Sequence, residues 1–302
     1  MKLKSVIYTG LALLATNYMF AQANILNAKI PEEIGMKTEA QLLLDNDQPL
    51  EYGYVGDRDI LFSKMIWEKV VLDERVNFPL YFPIEDNLGD DRKSLYQVLR
   101  ENMESGMIPK VYADSYFTEE RTLEDLEASL TMTRITDSGI DYMNENGVSE
   151  DQLPEEYVIR RTISPADINS YLIKGLWYFD KRQGELKYRI LGIAPAAPDV
   201  NFIDEENSSN SEPIAMFWVF FPEVRDILHE AKAFNNKNSS SPMSFDHLLN
   251  SRRFHGLIYK EENVYGDREV KEYIADNALM QLLESERIKD KIRNFEQDMW
   301  SY

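Results

Sequence analysis

The sequence predicts an α+β protein, with mixed helices, short antiparallel strands or hairpins, and a long helix at the C-terminal end. Three observations carry that reading. Apolar residues recur at helical spacing, as in Leu95, Val98, Leu99 and Met103 and again in Ile288, Ile292, Phe295 and Met299. A hairpin pattern occupies the middle of the chain: Leu176 to Phe179 is apolar, Lys181-Arg182-Gln183-Gly184 is a turn, and Leu186, Tyr188 and Ile190 then alternate with Glu185, Lys187 and Arg189. No regular alternation of strand and helix marks a parallel sheet, so the two kinds of element belong to an α+β arrangement.

From the N-terminus, Lys2 and Lys4 precede the mostly apolar run Val6 to Ala15, and Ala21 and Ala23 supply small residues for cleavage. Residues 1–21 therefore read as a secretory signal peptide. A retained anchor is the alternative, but Tyr8, Thr9 and Asn17 interrupt a run already short of the roughly 20 apolar residues a span needs. Residues 22–56 read as an extended N-terminal arm, weakly patterned apart from Leu42-Leu43-Leu44 and a stretch from Pro49 to Gly56 holding two glycines. That leucine spot is too small for a core of its own and is the candidate partner interface.

Residues 57–268 form the predicted α+β core. Asp57 offers an N-cap, and Ile60, Leu61, Met65, Trp67, Val71 and Leu72 fit a first helix running to Arg75. Phe78, Leu80 and Phe82 alternate with Pro79 and Pro83, which suits an edge strand or extended connector. Leu95 to Met103 is a second helix with Gly106 at its end, and Leu123, Leu126 and Leu130 mark a third. Ser164-Pro165-Ala166-Asp167 reads as a helix start, with Ser164 as cap and Pro165 in the first turn, and predicts a short helix to Lys174. The hairpin follows, with one wet face. Residues 199–212 are acidic and rich in Asn and Ser, a mobile loop by composition. Pro213 to Phe221 reads as a buried strand, Pro222 to Ala231 as a helix, Asn235 to Pro242 as a polar loop, Ser244 as the cap of another short helix, and Gly256 to Lys260 as a strand. Residues 269–302 complete the chain as a helical segment.

Charge and composition narrow the functional classes. The chain of 302 residues carries 33 Lys plus Arg against 53 Asp plus Glu, a net charge of −20, and loss of Lys2 and Lys4 with the leader makes it more acidic still. Duplex phosphates would repel such a surface, which argues against nucleic acid as a partner. There is no cysteine, so disulfides, thiolate metal sites, a thiol nucleophile and lipid attachment through cysteine are all excluded. No later segment is long and apolar enough to span a bilayer; the longest apolar run, Ile214 to Phe221, has only strand length.

The search for chemistry returns little. No Gly-rich phosphate loop, Gly-x-Ser-x-Gly elbow or His-Glu-x-x-His helix occurs. Of the three histidines, His247 and His255 are eight residues apart, unlike a metal pair on one helix, and His229 lies beside Asp226 and Glu230 on an amphipathic segment. All three read as ordinary surface or hydrogen-bonding side chains. The acidic stretches lack the ligand pattern of a calcium loop, so no metal or other cofactor is expected. Trp67, Trp177 and Trp218 sit in apolar runs and are expected in the core, where aromatic area is usually buried, ahead of any role as a sugar platform.

Four segments, Trp67 to Pro83, Gly175 to Pro195, Phe217 to Leu228 and Ser244 to Arg268, resemble in order and content the GldN (PorN) family of gliding-motility proteins. The resemblance implies a non-enzymatic structural subunit of the type IX secretion system of Bacteroidota. It further implies a periplasmic location, self-association in a ring with the outer-membrane lipoprotein GldK (PorK), and contact with the motor protein GldM (PorM). It brings no catalytic, cofactor or metal residue. A soluble periplasmic carbohydrate-binding protein or a carboxylate-dependent hydrolase is the alternative left by composition alone.

Overall fold

The computed structural model describes residues 48–85, 93–147, 149, 152–200, 212–234, 243–275 and 277–300. The leader, Leu42, Leu43 and Leu44 of the arm, most of the acidic loop and the polar loop 235–242 lie outside the described residues.

A six-stranded antiparallel sheet organises the fold. In chain order the elements begin with β1 (Ile60–Val71), α1 (Phe78–Tyr81), α2 (Leu95–Glu104), β2 (Val111–Tyr112), β3 (Glu120–Arg121), α3 (Leu123–Leu130), β4 (Thr131–Ile135), α4 (Asp137–Asn146) and β5 (Val158–Thr162). They continue with β6 (Ser170–Asp180), β7 (Glu185–Ala197), β8 (Ile214–Ala215), β9 (Val219–Phe220), α5 (Phe221–Glu230), β10 (Lys232–Ala233), β11 (Met243–Ser244), α6 (Phe245–Asn250), β12 (Leu257–Glu261), α7 (Val270–Tyr273) and α8 (Ala278–Trp300). The main sheet runs β12-β1-β6-β7-β8, with β9 also paired to β7, while β2-β3, β4-β5 and β10-β11 are separate two-stranded ribbons. The fold is α+β with a C-terminal helix, as the sequence predicts.

Alternation along β1 puts Ile66, Glu68 and Val70 on one face and Met65, Trp67 and Lys69 on the other. The first face carries most of the core. Val70, Tyr171, Ile173, Ile190 and Ile193 pack under α2, α3, α5 and α6 through Leu99, Leu126, Phe221, Leu228 and Leu249, all buried. Further along that face Ile66 and Ile258 meet Ile288 and Ile292 of α8, and Phe295 stacks on Phe62 with ring centroids 4.3 Å apart. The opposite face is covered by a smaller aromatic cluster of Trp67, Tyr112 and Trp218 with Phe117 and Phe220 against it.

Several elements follow their sequence signals. Ser94 caps α2, its hydroxyl accepting from the Gln97 N–H, and Gly106 takes a left-handed φ of 76° just past the helix end. Thr122 and Asp125 form a reciprocal capping box at α3, and Ser244 caps α6 by accepting from the His247 N–H. Gly184 closes the β6–β7 turn at φ 67°.

Five expectations are corrected. The segment read as the first helix is β1: it is covered on both sides around Ile66-Trp67-Glu68, so the two-residue alternation is lost and its apolar spacing imitates a helix. Phe78–Tyr81 is a turn of helix in place of an edge strand, because Pro79 falls in the first turn, where a missing N–H is tolerated. After Ser164 the chain makes only a 3-10 turn, Pro165–Asp167; Asp167 accepts from the Ser164 N–H at 2.8 Å and hydroxyl at 2.6 Å, and β6 starts at Ser170. Pro213 to Phe221 is split into β8 and β9, with Met216, Phe217 and Trp218 buried between them and Phe221 already in α5. The hairpin is wet only near its turn, since β7 is buried from Gly192 to Ala197.

Candidate functional site

The residues singled out for chemistry do not converge. His255 Nδ1 lies 2.6 Å from Glu74 Oε2, while its backbone N–H donates to the buried Asn77, whose amide returns hydrogen bonds to the carbonyls of Val71 and His255. His247 is exposed on α6 and His229 is half-buried on α5. Among the described residues no three His, Asp or Glu side chains are grouped to hold a metal ion. Trp67 and Trp218 are buried in the core, and the half-buried Trp177 lies 4.9 Å from the Tyr188 ring.

Among the described residues most of the buried charge is instead gathered into three built centres. In the first, Glu68 projects from the middle of β1 and is 0 % exposed. Arg252 grips its carboxylate with two hydrogen bonds of 2.7 and 2.9 Å, and the Tyr188 hydroxyl donates to it at 2.9 Å. Arg252 also lies 4.1 Å from the centroid of the Tyr188 ring, and it reaches this position through a left-handed backbone, φ 51°. Gly175 makes room: a Cβ there would overlap the Tyr188 hydroxyl. Burial and then the Glu68 charge hold the Tyr188 phenol well above its ordinary pKa, so it donates at any physiological pH. Burial opposes the charge on Arg252, but the Glu68 carboxylate outweighs it and raises the guanidinium pKa. The centre is a fixed ion pair between the two apolar halves of one sheet face.

The second centre is a cross-strand row on the other face. Register places Lys260 of β12, Trp67 of β1 and Lys174 of β6 side by side. The two ammonium groups lie 4.7 and 5.2 Å from the Trp67 ring, and Tyr116 covers the row, its hydroxyl donating to Asp267 at 2.8 Å. Lys174, 5 % exposed, donates to the Ser115 carbonyl at 2.8 Å. Burial, reinforced by Lys260, lowers its pKa. This row clamps the loop between β2 and β3 onto the sheet.

The third centre holds the end of the predicted arm. Arg225 of α5 forms a two-point pair with Asp246 of α6, at 2.9 and 3.2 Å, and Asn250 donates to the same carboxylate at 2.8 Å. Across this pair runs an extended strap of residues 49–56. The Tyr52 ring lies 4.0 Å from the Arg225 guanidinium, its hydroxyl donates to Asn250 at 2.8 Å, and the carbonyls of Leu50 and Gly53 accept from Arg225 and Arg189 at 2.6 and 3.1 Å. Beyond it, the strap and the β6–β7 hairpin line a cleft that includes Tyr54, Tyr178, Gln183 and Lys187.

None of these centres was singled out by motif. One signal was available for Arg225: it shares the helical stripe Phe221, Val224, Arg225 and Leu228, all buried, so an arginine stands at a core-facing position. A cation there requires a buried partner. Glu68 and Arg252 carry no comparable mark, being 184 residues apart in sequence.

The family described as gliding motility associated protein GldN has a model that matches residues 55–301. The chain belongs to the GldN family. That match takes in the whole main sheet, all three centres except the strap residues before Val55, and α8. GldN proteins are components of the type IX secretion and gliding-motility machinery, a structural role. No curated protein matches the chain. The four segments in which the resemblance is seen all fall inside the matched range, and α8 extends it past Arg268. No helix among the described residues is long and apolar enough to cross a membrane.

Proposed function

We propose that this GldN-family chain is a non-enzymatic structural subunit of the type IX secretion system. It is exported to the periplasm, builds a ring there with the outer-membrane lipoprotein GldK (PorK), and contacts the periplasmic part of GldM (PorM). The family match over residues 55–301 carries the reading. The site geometry supports it: Glu68 and Asp246, the acidic groups placed deepest, are spent on arginine pairs that lock elements together, and Trp67 and Trp218 are spent on packing. Such use of charge and aromatic area suits a rigid building block more than the carbohydrate binder or carboxylate hydrolase that composition alone allows. Without a cysteine for a lipid of its own, the chain takes its membrane anchor from the lipoprotein. The arm, with Leu42, Leu43 and Leu44 as its apolar spot, is proposed as a contact to a partner.

The test is isolation of a tagged chain from outer membranes of cells that make the secretion system. Recovery with the lipoprotein in large particles supports the reading. Recovery only as a small particle that hydrolyses or binds polysaccharide overturns it.

A further inference from the structure

We infer that the Arg225–Asp246–Asn250 centre is a receptor for an extended tyrosine-bearing segment, and that strap 49–56 of a second copy of this chain occupies it when copies associate. The inference rests on the scaffold reading above and adds to it a binding site and its occupant.

The receptor is built independently of the strap. Arg225 and Asp246 hold each other through two hydrogen bonds in which no strap atom takes part, with Asn250 fixing the same carboxylate. The guanidinium is thus oriented before any ligand arrives, which removes the ordering cost of a long side chain from the binding step. What the centre reads is general to an extended chain at one point, the Leu50 carbonyl on Arg225, and specific at a second, the Tyr52 ring on Arg225 with its hydroxyl on Asn250; Arg189 of β7 adds a neighbouring backbone contact at the Gly53 carbonyl.

The strap, by contrast, is weakly invested in its own copy. Leu50 is 76 % and Tyr54 90 % exposed, Glu51 and Gly53 are exposed, and Tyr52 alone projects into the receptor. Eight residues are ordered for one half-buried ring and hydrogen bonds of which two are part-buried, and each ordered residue costs backbone entropy, so the strap opens more easily than the core strands. Gly53, with open space around it, and Gly56, at the entry to the Asp57–Asp59 turn, give it hinges. A preformed receptor and a hinged, loosely held ligand on the same chain are the ingredients of segment exchange, in which a neighbour supplies the same contacts at little added cost. A second copy is the occupant because it brings the segment already fitted to the receptor, down to the Tyr52 hydroxyl on Asn250. Strap and receptor are different patches, so the contact is heterologous and can propagate around a closed ring.

The absence of cysteine makes a clean test possible, since introduced thiols are the only ones present. Tyr54 and Gln183 line the same cleft beside the docked strap. Purified mature chains carrying Tyr54→Cys and Gln183→Cys are mixed at high concentration with a short bis-maleimide. Covalent heterodimer well above what either variant forms alone, and lost when Tyr52→Ala is added to the Tyr54→Cys chain, supports exchange. The Tyr54→Cys/Gln183→Cys double variant in one chain gives the opposing readout. If it closes internally while the mixture yields no heterodimer, the strap stays on its own copy and the inference falls. Failure of both links to form also overturns it. Neither result bears on co-isolation with the lipoprotein, which tests the scaffold reading separately.

Discussion

Replacing Glu68 with Gln keeps the shape of the side chain and removes its charge from a position that is 0 % exposed. The carboxylate accepts three hydrogen bonds there, two from Arg252 at 2.7 and 2.9 Å and one from Tyr188 at 2.9 Å. The amide oxygen of Gln can retain one or two of these, but its NH2 group faces guanidinium donors and Arg252 loses its counter-charge. Breaking a buried pair by neutralising one partner costs about 3 to 5 kcal/mol. The Arg252 side chain is 25 % exposed and recovers some water, which places the expected loss near the lower end, about 3 kcal/mol. That is a large share of a total stability of about 5 to 15 kcal/mol. Urea unfolding followed by tryptophan fluorescence is the assay. With a slope of about 3 kcal/mol per molar, the midpoint falls by about 1 M. Converting both partners, Glu68→Met with Arg252→Met, restores most of the loss because both charges leave together. A Glu68→Gln midpoint indistinguishable from the parent, or a double variant worse than the single one, refutes the reasoning that this pair locks the sheet face.

Gly175→Ala is expected to cost about 1 to 3 kcal/mol, since the new methyl overlaps the Tyr188 hydroxyl and pushes it from Glu68, and an unchanged melting temperature counts against that packing. Alkaline pH is expected to destabilise the fold. Burial pushes the Tyr96 phenol up to about 12, so between about pH 10 and 12 the unfolded phenol is ionised while the folded one keeps its proton, and stability on the order of 3 kcal/mol is lost across that window. Tyr171, Tyr188 and Tyr259 are raised by burial and act in the same direction, so a urea midpoint that holds steady from pH 9 to pH 12 contradicts the buried-phenol account. Replacing His229, His247 and His255 together with Ala is expected to leave secretion intact; loss of secretion at normal abundance and normal partner binding points to chemistry at a histidine.

The legible parts of the fold were those with local signals. Leu95 to Met103 and Leu123 to Leu130 announce α2 and α3 through apolar spacing within single helices, Ser244 announces α6 through a cap that depends only on its near neighbours, and Gly184 announces a turn through its own backbone freedom. What failed was β1, whose pattern is set by elements far away. Trp67 is covered by Tyr116 and Trp218, while Ile66 is covered by α8, so both faces are covered and no clean two-residue period survives in the sequence. The same distance hid the polar centres: Glu68 and Arg252, or Tyr52 and Asn250, meet only once the sheet has formed. Arg225 was the exception, readable from its place on an apolar helical stripe.

The most direct measurement is the mass and composition of the particle that carries a tagged copy of this chain, taken from outer membranes under mild detergent and examined by light scattering and electron microscopy. The account predicts large closed assemblies containing the outer-membrane lipoprotein together with many copies of this chain. A monodisperse particle the size of one or two chains, free of the lipoprotein, contradicts it.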